Sequence, residues 1–437
     1  MYSTSQEFDD LLTNQEAIYY ITITKTSTGQ VVDMNIDNFE YTGSKCVDQN
    51  FTFGNALCQS VKFSVHTPNV LLQNEEIFIE QGLYVDGVLE NVPIGYFIVQ
   101  KPVSDGEVTT YTCYDRMIKL DDLYMNEQKY ANVFDVLYDI SQITGVTINK
   151  PDPTKNYFID TGNMSEWDNL YTMREVVGYL GGLYGKDALV DRNGEIVYKA
   201  YDDINYTIDG NVIYQGGTTI ESEYDMVVEK IVCRKVLPGY ADEEYTVGSG
   251  LKTVYVENPF MNESILEETF ERLEGLTYRG LKTSFLGDFR LDLGDIITVV
   301  KDGVNYRCCI MEIHHQCDGG LITDVTSHAK TESEQNYRYN GTMSRTVNRD
   351  STAIAEIKGV VNTHTQEIQE LFTSVSNGKT MIASAITDKG VETSSTDTFA
   401  TMATNILNIP SGQKKIPVVH CYAIDYIIGG ATGYVNE

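Results

Sequence analysis

The sequence predicts a mainly β, α+β protein built from several domains. At 437 residues the chain is too long for one compact core, and two to four domains are expected. Thirty tyrosines, a single tryptophan and many Thr and Val residues favour β-sheet. Period-two alternation of apolar residues marks two segments, and a helical period separates them. We therefore predict two β domains with an α+β domain inserted between them, followed by a coiled coil and a small helical unit.

The first β domain is predicted over residues 1–122. Tyr19, Ile21 and Ile23 alternate on one face of a strand. The turn at 105–106 separates two runs of strand-forming residues, Gly95 to Gln100 and Val108 to Tyr114, which is the pattern of a β-hairpin. A small barrel or sandwich is expected.

The inserted α+β domain is predicted over residues 123–212. Residues 133, 137 and 140 are apolar at the spacing of one helical face, and Gly145 follows as a stop signal. Thr172 and Glu175 have the spacing of a capping box and begin a second helix. The Asn193-Gly194 turn then closes a hairpin, which explains residues 191–195 better than a calcium loop does.

The second β domain is predicted over residues 213–330. One helix interrupts it, with Leu266, Phe270 and Leu273 facing inward and several glutamates covering the outer side. Its last part is predicted as one strand from Tyr306 to His315, a turn at 318–320 and a strand from Leu321 to Val325.

A coiled coil is predicted over residues 331–376, after a linker rich in Asn, Arg, Ser and Thr. Apolar residues alternate at spacings of three and four from Ile354 to Val375, and a helix with such a stripe needs partners to cover it. Ile at both a and d in one heptad favours a trimer, although β-branched residues at a with Leu at d also permit a dimer. A helix packed on its own domain is the other alternative. The predicted trimer core consists of Ile354, Ile357, Val361, His364, Ile368, Leu371 and Val375.

His364 is the polar member of this core and occupies a d position. The simpler interpretation is a polar layer that fixes the register of the helices. The alternative is that three imidazoles meet on the trimer axis and hold an anion or a water.

The last two segments follow the coiled coil. Residues 377–410 are predicted as a helix-turn-helix unit, with helices from Thr380 to Thr387 and from Phe399 to Leu407 and an end at Pro410. Residues 411–437 contain two apolar runs, which fit either a terminal strand pair or a docking segment.

The charge balance limits the classes of partner. The chain has 63 acidic and 32 basic side chains, and its formal net charge is −31. Binding to nucleic acid through phosphates, or to an anionic membrane surface, needs clustered Lys and Arg, so both are disfavoured. The acidity keeps a large protein soluble. Alternatively, residues such as Asp242, Glu243 and Glu244 line a channel through which DNA slides without binding.

The eight cysteines are expected to be reduced thiols of a protein made in a cytoplasm. Residues 1–10 are polar and lack the basic and apolar regions of a signal peptide. No stretch of the sequence is apolar over the length of a membrane span.

No motif with catalytic or metal-binding spacing is found in the sequence. Cys308, Cys309, His314, His315 and Cys317 are the one local group with ligand residue types. Along a single extended strand they alternate, so Cys309, His315 and Cys317 are expected on one face and the other two on the opposite face. We therefore predict no metal, no cofactor and no enzymatic active site.

Three segments resemble proteins of phage tails. Residues 95–100 (GYFIVQ), with Tyr114-Asp115-Arg116-Met117 after the next strand, resemble the N-terminal domain of tail hub proteins, a group also called tail-associated lysin or prophage endopeptidase tail. Leu291-Asp292-Leu293-Gly294-Asp295 and the turn at 318–320 resemble the closing β domain of that family. The segment from Asn377 to Ala403 is similar to a short module that recurs in tail and tail-fibre proteins.

The resemblance implies two tube-like β domains that present six quasi-equivalent units to a sixfold tail when three chains assemble. It implies a structural baseplate hub in the virion tail tip, which closes the tail tube and connects the distal tail protein ring to tip, fibre or receptor-binding proteins. The tape-measure protein would lie in or above the lumen, and DNA would pass through without specific binding.

Members of this family often carry a C-terminal peptidoglycan hydrolase. Here the coiled coil and the small helical unit stand in that place, so no catalytic residue is carried over. A tail enzyme that degrades peptidoglycan and a receptor-binding adhesin are the alternative functions.

Overall fold

The structure is a computed structural model that describes residues 1–12, 18–32, 36–47, 51–66, 71–125, 130–161, 171–235, 243–317, 320–329, 368 and 371–410. Contacts divide the chain into two units, Met1–Thr346 and Val347–Glu437. The first unit is mainly β with a smaller helical part, and the second contributes helices. The predicted fold class, mainly β within α+β, is confirmed.

The strands of the first unit alternate with a few short helices. In chain order the strands are β1 (Tyr19–Lys25), β2 (Ile36–Ser44), β3 (Ser60–Val65), β4 (Glu76–Val85), β5 (Val88–Val99), β6 (Val103–Ser104), β7 (Thr109–Asp115), β8 (Leu123–Tyr124), β9 (Tyr130–Asn132), β10 (Phe158–Asp160), β11 (Tyr171–Thr172), β12 (Asp187–Val190), β13 (Ile196–Lys199), β14 (Asp202–Ile208), β15 (Ile213–Ile220), β16 (Met226–Val227), β17 (Lys230–Lys235), β18 (Glu243–Gly248), β19 (Thr253–Glu257), β20 (Thr277–Tyr278), β21 (Leu281–Leu286), β22 (Asp295–Lys301), β23 (Val304–Cys309), β24 (Glu312–Cys317) and β25 (Leu321–Ser327).

The helices are α1 (Gln6–Leu12), α2 (Val133–Thr144), α3 (Met173–Gly182), α4 (Glu263–Leu273), α5 (371–387) and α6 (Phe399–Leu407), with a 3-10 turn at Arg116–Leu120. The predicted local signals are present. The capping box of Thr172 and Glu175 is complete, and Gly145 ends α2 in the left-handed conformation.

One large sheet joins strands from both predicted β domains. Its order is β1-β4-β5-β7-β3-β2-β24-β25-β21-β15, with β6 also pairing with β7. The junction is the antiparallel pair β2–β24, in which Phe39 lies opposite Cys317 and Ser44 opposite Glu312. Hydrogen bonding is therefore continuous from the first predicted β domain into the second, and the boundaries at 122 and 212 remain predictions.

The prediction of a single strand from Tyr306 to His315 is wrong, because this segment forms the end of β23 and the start of β24. β23 pairs with β22 in a three-stranded sheet, whereas β24 belongs to the large sheet. Between them Ile310 donates its N–H to the carbonyl of Asp295, and Met311 donates to that of Thr326. Both side chains are buried, so the chain crosses from one sheet to the other through the core, which period-two alternation alone does not reveal.

The α+β part shares a hydrophobic core with residues from both β segments, and α4 packs into this core. This core includes Val136 of α2, Val177 of α3 and Leu266 of α4. The hydroxyl of Thr269 donates to the carbonyl of Leu183 at 2.9 Å. The helix within the second predicted β domain thus stabilises the inserted module. Leu266 and Leu273 are buried as predicted, and Phe270 is partly buried against the same core.

Glycines allow the loop after β2 to approach α3 closely. Gly54 has φ +82°, and a Cβ at this position would lie 2.9 Å from the Cα of Gly182. A Cβ at Gly178 would lie 2.7 Å from the carbonyl oxygen of Gly54. Backbone contacts this close leave no room for any side chain.

We expect Gly178→Val to lower the free energy of unfolding by about 1–3 kcal/mol, because the new side chain must displace the backbone of Gly54. Urea unfolding of the full chain measures the change. Gly210→Val is the matched control, since a Cβ there meets no atom within 4 Å. Equal effects of the two substitutions would contradict the packing argument.

Asp115 is a buried carboxyl at the end of β7. It accepts hydrogen bonds from the N–H groups of Gln59 at 2.9 Å and Met117 at 3.0 Å, and so caps the 3-10 turn. Burial raises the pKa of Asp115 to about 7, despite the opposing effect of these two N–H donors.

This raised pKa predicts a contribution to stability that depends on pH. Between about pH 4 and pH 7 the folded state keeps a proton that the unfolded state has lost, so this contribution to the free energy of unfolding falls as pH rises through that window. We expect Asp115→Asn to remove it. Urea unfolding of both proteins from pH 4 to pH 8 is the test, and parallel stability curves would refute the prediction.

Candidate assembly surface and buried clusters

The second unit contains a small core between α5 and α6. Ala383 and Ile386 of α5 pack against Met402 of α6. Thr398 caps α6 by accepting a hydrogen bond from the N–H of Thr401, and Gly390 makes the turn between the helices with φ +91°. Two helices joined by a turn are therefore present, and α5 begins before residue 377. That residues 377–410 form a separate module remains a prediction.

An exposed apolar face lies at the N-terminal side of this unit. Ile368, Leu371 and Val375 are spaced by three and four residues in helical conformation, and their side chains are 56%, 53% and 39% exposed in the single chain. Phe372 is also exposed. We call Ile368, Leu371, Phe372 and Val375 the seam face. The other members of the predicted trimer core, Ile354, Ile357, Val361 and His364, lie outside the described residues.

The seam face ends at Val375, before the part of α5 that packs against α6. The next d position is Gly378, which offers no side chain. From Ile382 onwards the apolar residues of α5 pack toward α6, and Ala383 and Ile386 are buried there. The apolar stripe therefore faces out of the unit up to Val375 and into it afterwards.

The acidic residues proposed to line a channel are described only in part. Glu243 and Glu244 are exposed on β18, an edge strand of the sheet β18-β17-β19. The Nζ atom of Lys235 lies 4.0 Å from Glu243. Asp242 lies outside the described residues. An exposed position on a sheet edge does not show whether these residues face a channel, so the acidic lumen remains a prediction.

The local Cys and His group is not a cluster. Because β23 and β24 belong to different sheets, the prediction is wrong for Cys309, which does not share a face with the other two. His315 and Cys317 lie two residues apart in β24 and share a face as predicted. Cys308 and Cys309 are buried in different cores. His315 is a core residue: its Nδ1 lies 2.6 Å from the hydroxyl of Thr323, and burial lowers its pKa well below the usual range. His314 is partly exposed, 3.6 Å from Asp324.

A cavity of about 400 Å³ lies between the β12–β13 hairpin and the segment before β22. Its charged side chains contact protein partners. Arg192 donates to Asp292 at 2.8 Å and to the carbonyl of Phe289 at 2.8 Å, and Lys199 donates to Asp295 at 3.1 Å. These contacts connect the hairpin to the loop that contains the Leu-Asp-Leu-Gly-Asp motif.

A buried ion pair was not predicted from the sequence. The Nζ atom of Lys45 lies 3.0 Å from Asp187, and both side chains are 1% exposed. Asp187 also accepts hydrogen bonds from the N–H and the side-chain amide of Asn55. The ring of Tyr201 covers the ammonium at 3.7 Å. The pair connects the end of β2 to β12, so it joins the large sheet to the α+β part.

A second unpredicted group contains potential metal ligands. The thiol of Cys46, a carboxylate oxygen of Glu312 and an imidazole nitrogen of His328 lie within 4.8 Å of one another. Burial raises the pKa of the Cys46 thiol to about 12. The three residues are far apart in the sequence, with no motif spacing, so only the pairing of β2, β24 and β25 brings them together.

Comparison with known proteins gives matches among solved structures only. No protein family model and no curated protein matches the chain. Within the described ranges no helix has the length and apolar character of a membrane span.

Three solved structures are similar over much of the chain. The 43 kDa tail protein of prophage MuSo2 from Shewanella oneidensis is 11% identical, with a TM-score of 0.46 over 71% of this chain and 98% of that one. The tail protein from Neisseria meningitidis MC58 is 12% identical, with a TM-score of 0.48 over 71% of this chain and 96% of that one. The E. coli c3393 protein, described as a component of the type VI secretion system, is 9% identical, with a TM-score of 0.35 over 71% and 77%.

Two further matches, at 8% and 9% identity, are structures of the phage P2 baseplate. All of these TM-scores are below 0.5, so the similarity does not establish a function, which must be argued from the residues of this chain. The chain is similar to phage tail and baseplate proteins, the group that its sequence motifs resemble.

Proposed function

We propose that the chain is a structural hub of a phage-like tail tip, in which three copies close the tail tube. Each hub would connect the distal tail protein ring to tip, fibre or receptor-binding proteins, with the tape-measure protein at its lumen. The observation that carries the proposal is the seam face. Its apolar side chains continue a heptad pattern that begins at Ile354, and they are exposed in the single chain.

Exposure of the seam face is unfavourable for an isolated chain. Burying one Leu or Ile side chain stabilises by about 1.5–3 kcal/mol, so a helix with four apolar residues on one side gains by packing against another apolar surface. The heptad spacing favours copies of the same helix as that surface. Ile at both a and d in the heptad of Ile354 and Ile357 favours three helices. The resemblance to tail hub proteins also implies three chains, each of which contributes two β segments to a ring with sixfold symmetry.

The charge of the chain suits a channel for DNA. A net charge of −31, with Glu243 and Glu244 exposed at a sheet edge, repels phosphate groups. DNA would then slide through the lumen without binding. The location implied is the tail tip of the virion.

The proposal is tested by the mass of the full-length protein in solution. Light scattering after size-exclusion chromatography at micromolar concentration should give three times the chain mass of 49.0 kDa. A monomer under these conditions would exclude the hub. A zymogram on peptidoglycan tests the enzyme alternative, and clearing of the gel that survives purification would favour a tail-associated lysin instead.

A further inference from the structure

Cys46, Glu312 and His328 lie at one end of three neighbouring strands. Cys46 follows β2 after one intervening residue, Glu312 begins β24, and His328 directly follows β25. β24 pairs with both other strands, so that Glu312 lies opposite Ser44 on one side and opposite Thr326 on the other. The sheet therefore holds the backbones of all three residues at a fixed spacing.

The three side chains converge from these positions. Their ligand atoms lie within 4.8 Å of one another, and the Nε2 atom of His328 is 3.1 Å from the Oε1 atom of Glu312. Ligand atoms around a tetrahedral zinc ion are roughly 3.5 Å apart, given bond lengths of about 2.0–2.3 Å. Small side-chain rotations are sufficient to reach that spacing.

The imidazole of His328 contacts the carboxylate of Glu312. Its Nε2 atom is buried and lies 3.1 Å from the Oε1 atom of Glu312, so a metal ion would bind between two groups that already meet. The backbone on both sides is fixed: the N–H of His328 donates to the Sδ atom of Met311, and its carbonyl accepts from the hydroxyl of Tyr278 at 2.7 Å. These two contacts hold the backbone of His328 in place beside Glu312.

We propose that Cys46, Glu312 and His328 bind one zinc ion. A thiolate, an imidazole and a carboxylate together suit Zn²⁺, whereas Mg²⁺ and Ca²⁺ prefer oxygen ligands alone. The side chain of Glu312 is 44% exposed, so the ion reaches the site from solvent and keeps a water as its fourth ligand. The nearby ammonium of Lys45 is already paired with Asp187 and does not oppose the ion with an uncompensated charge.

A bound ion would stabilise the pairing of β2 with β24, which joins the two halves of the large sheet. It would connect the segment after β2 with β24 and with the segment after β25, which is where hydrogen bonding passes from the first β segment to the second. Zinc binding would therefore raise the thermal stability of the first unit.

The test uses the full chain after removal of metals by a chelator. Titration with Co²⁺ should give a sulfur-to-cobalt charge-transfer band that saturates at one ion per chain, and Zn²⁺ should displace the Co²⁺ and raise the melting temperature. Cys46→Ser should abolish the band. Glu312→Gln, at a partly exposed position that folding tolerates, should weaken Zn²⁺ binding by about 100-fold or more, since even outer-shell changes cost 10–100-fold.

Cys113→Ser is the matched control, because Cys113 is an equally buried thiol in another core. It should leave the band and the Zn²⁺ affinity unchanged. The site would be refuted if the full chain gave no band, or if Glu312→Gln bound Zn²⁺ as tightly as the unchanged protein, which would leave His328 and Glu312 as an ion pair only.

Discussion

Asp187→Ala should lower the free energy of unfolding by about 3–5 kcal/mol, because it leaves the ammonium of Lys45 buried without a counter-charge. Both side chains are 1% exposed, and the substitution also removes the acceptor for two hydrogen bonds from Asn55. Urea unfolding of the full chain, followed by tyrosine fluorescence and circular dichroism, measures the loss.

Asp203→Ala is the matched control for this ion pair. Asp203 contacts Arg307 at 2.7 Å, but both side chains are well exposed, so its removal should cost about 0–1 kcal/mol. Adding Lys45→Met to Asp187→Ala should recover part of the lost stability, since the unpaired charge is then gone. Equal losses in the free energy of unfolding for Asp187→Ala and Asp203→Ala would show that burial of the Lys45–Asp187 pair has no energetic consequence.

Replacing both Ile368 and Leu371 by Asp should convert the proposed trimer to monomers. Each trimer would then place six carboxylates where the seam face is buried, while losing about 1.5–3 kcal/mol of apolar burial for each substituted side chain. Sedimentation at micromolar concentration measures the change, and circular dichroism of the variant should still show the β signal of the first unit.

The control for the seam face is Thr373→Asp. Thr373 is an exposed residue of α5 at the heptad position opposite the seam, so a charge there should leave the trimer intact. Trimers that persist in the double Asp variant would show that the seam face does not hold the chains together, even if the unchanged protein is trimeric.

Local signals were sufficient for the start of α3 and the end of α2. Thr172 and Glu175 form the predicted capping box, and Gly145 ends α2, because these interactions involve residues only a few positions apart. The hairpin at Asn193-Gly194 and the antiparallel pairing of β5 with β7 were predictable for the same reason, although the turn at 105–106 joins the unpredicted short strand β6 to β7. The heptad pattern at Ile368, Leu371 and Val375 lies in a helix whose residues 371–377 are all exposed in the single chain, so the trimer seam stays a prediction.

Interactions between distant segments could not be predicted in this way. The path from β23 to β24 shows the limit, because apolar residues at 310 and 311 continue the strand pattern while the backbone changes sheets. The alternation of apolar and polar residues indicates which residues are buried, but it does not indicate the sheet in which the strand pairs.

Composition, periodicity and motif order were therefore enough to establish a mainly β, α+β chain that resembles phage tail proteins. The pairing of β2 with β24 was decided only by the tertiary structure, and with it the burial of Lys45 beside Asp187 and the convergence of Cys46, Glu312 and His328. The physical reason is that strand pairing between distant segments depends on backbone hydrogen bonds, which every sequence offers alike.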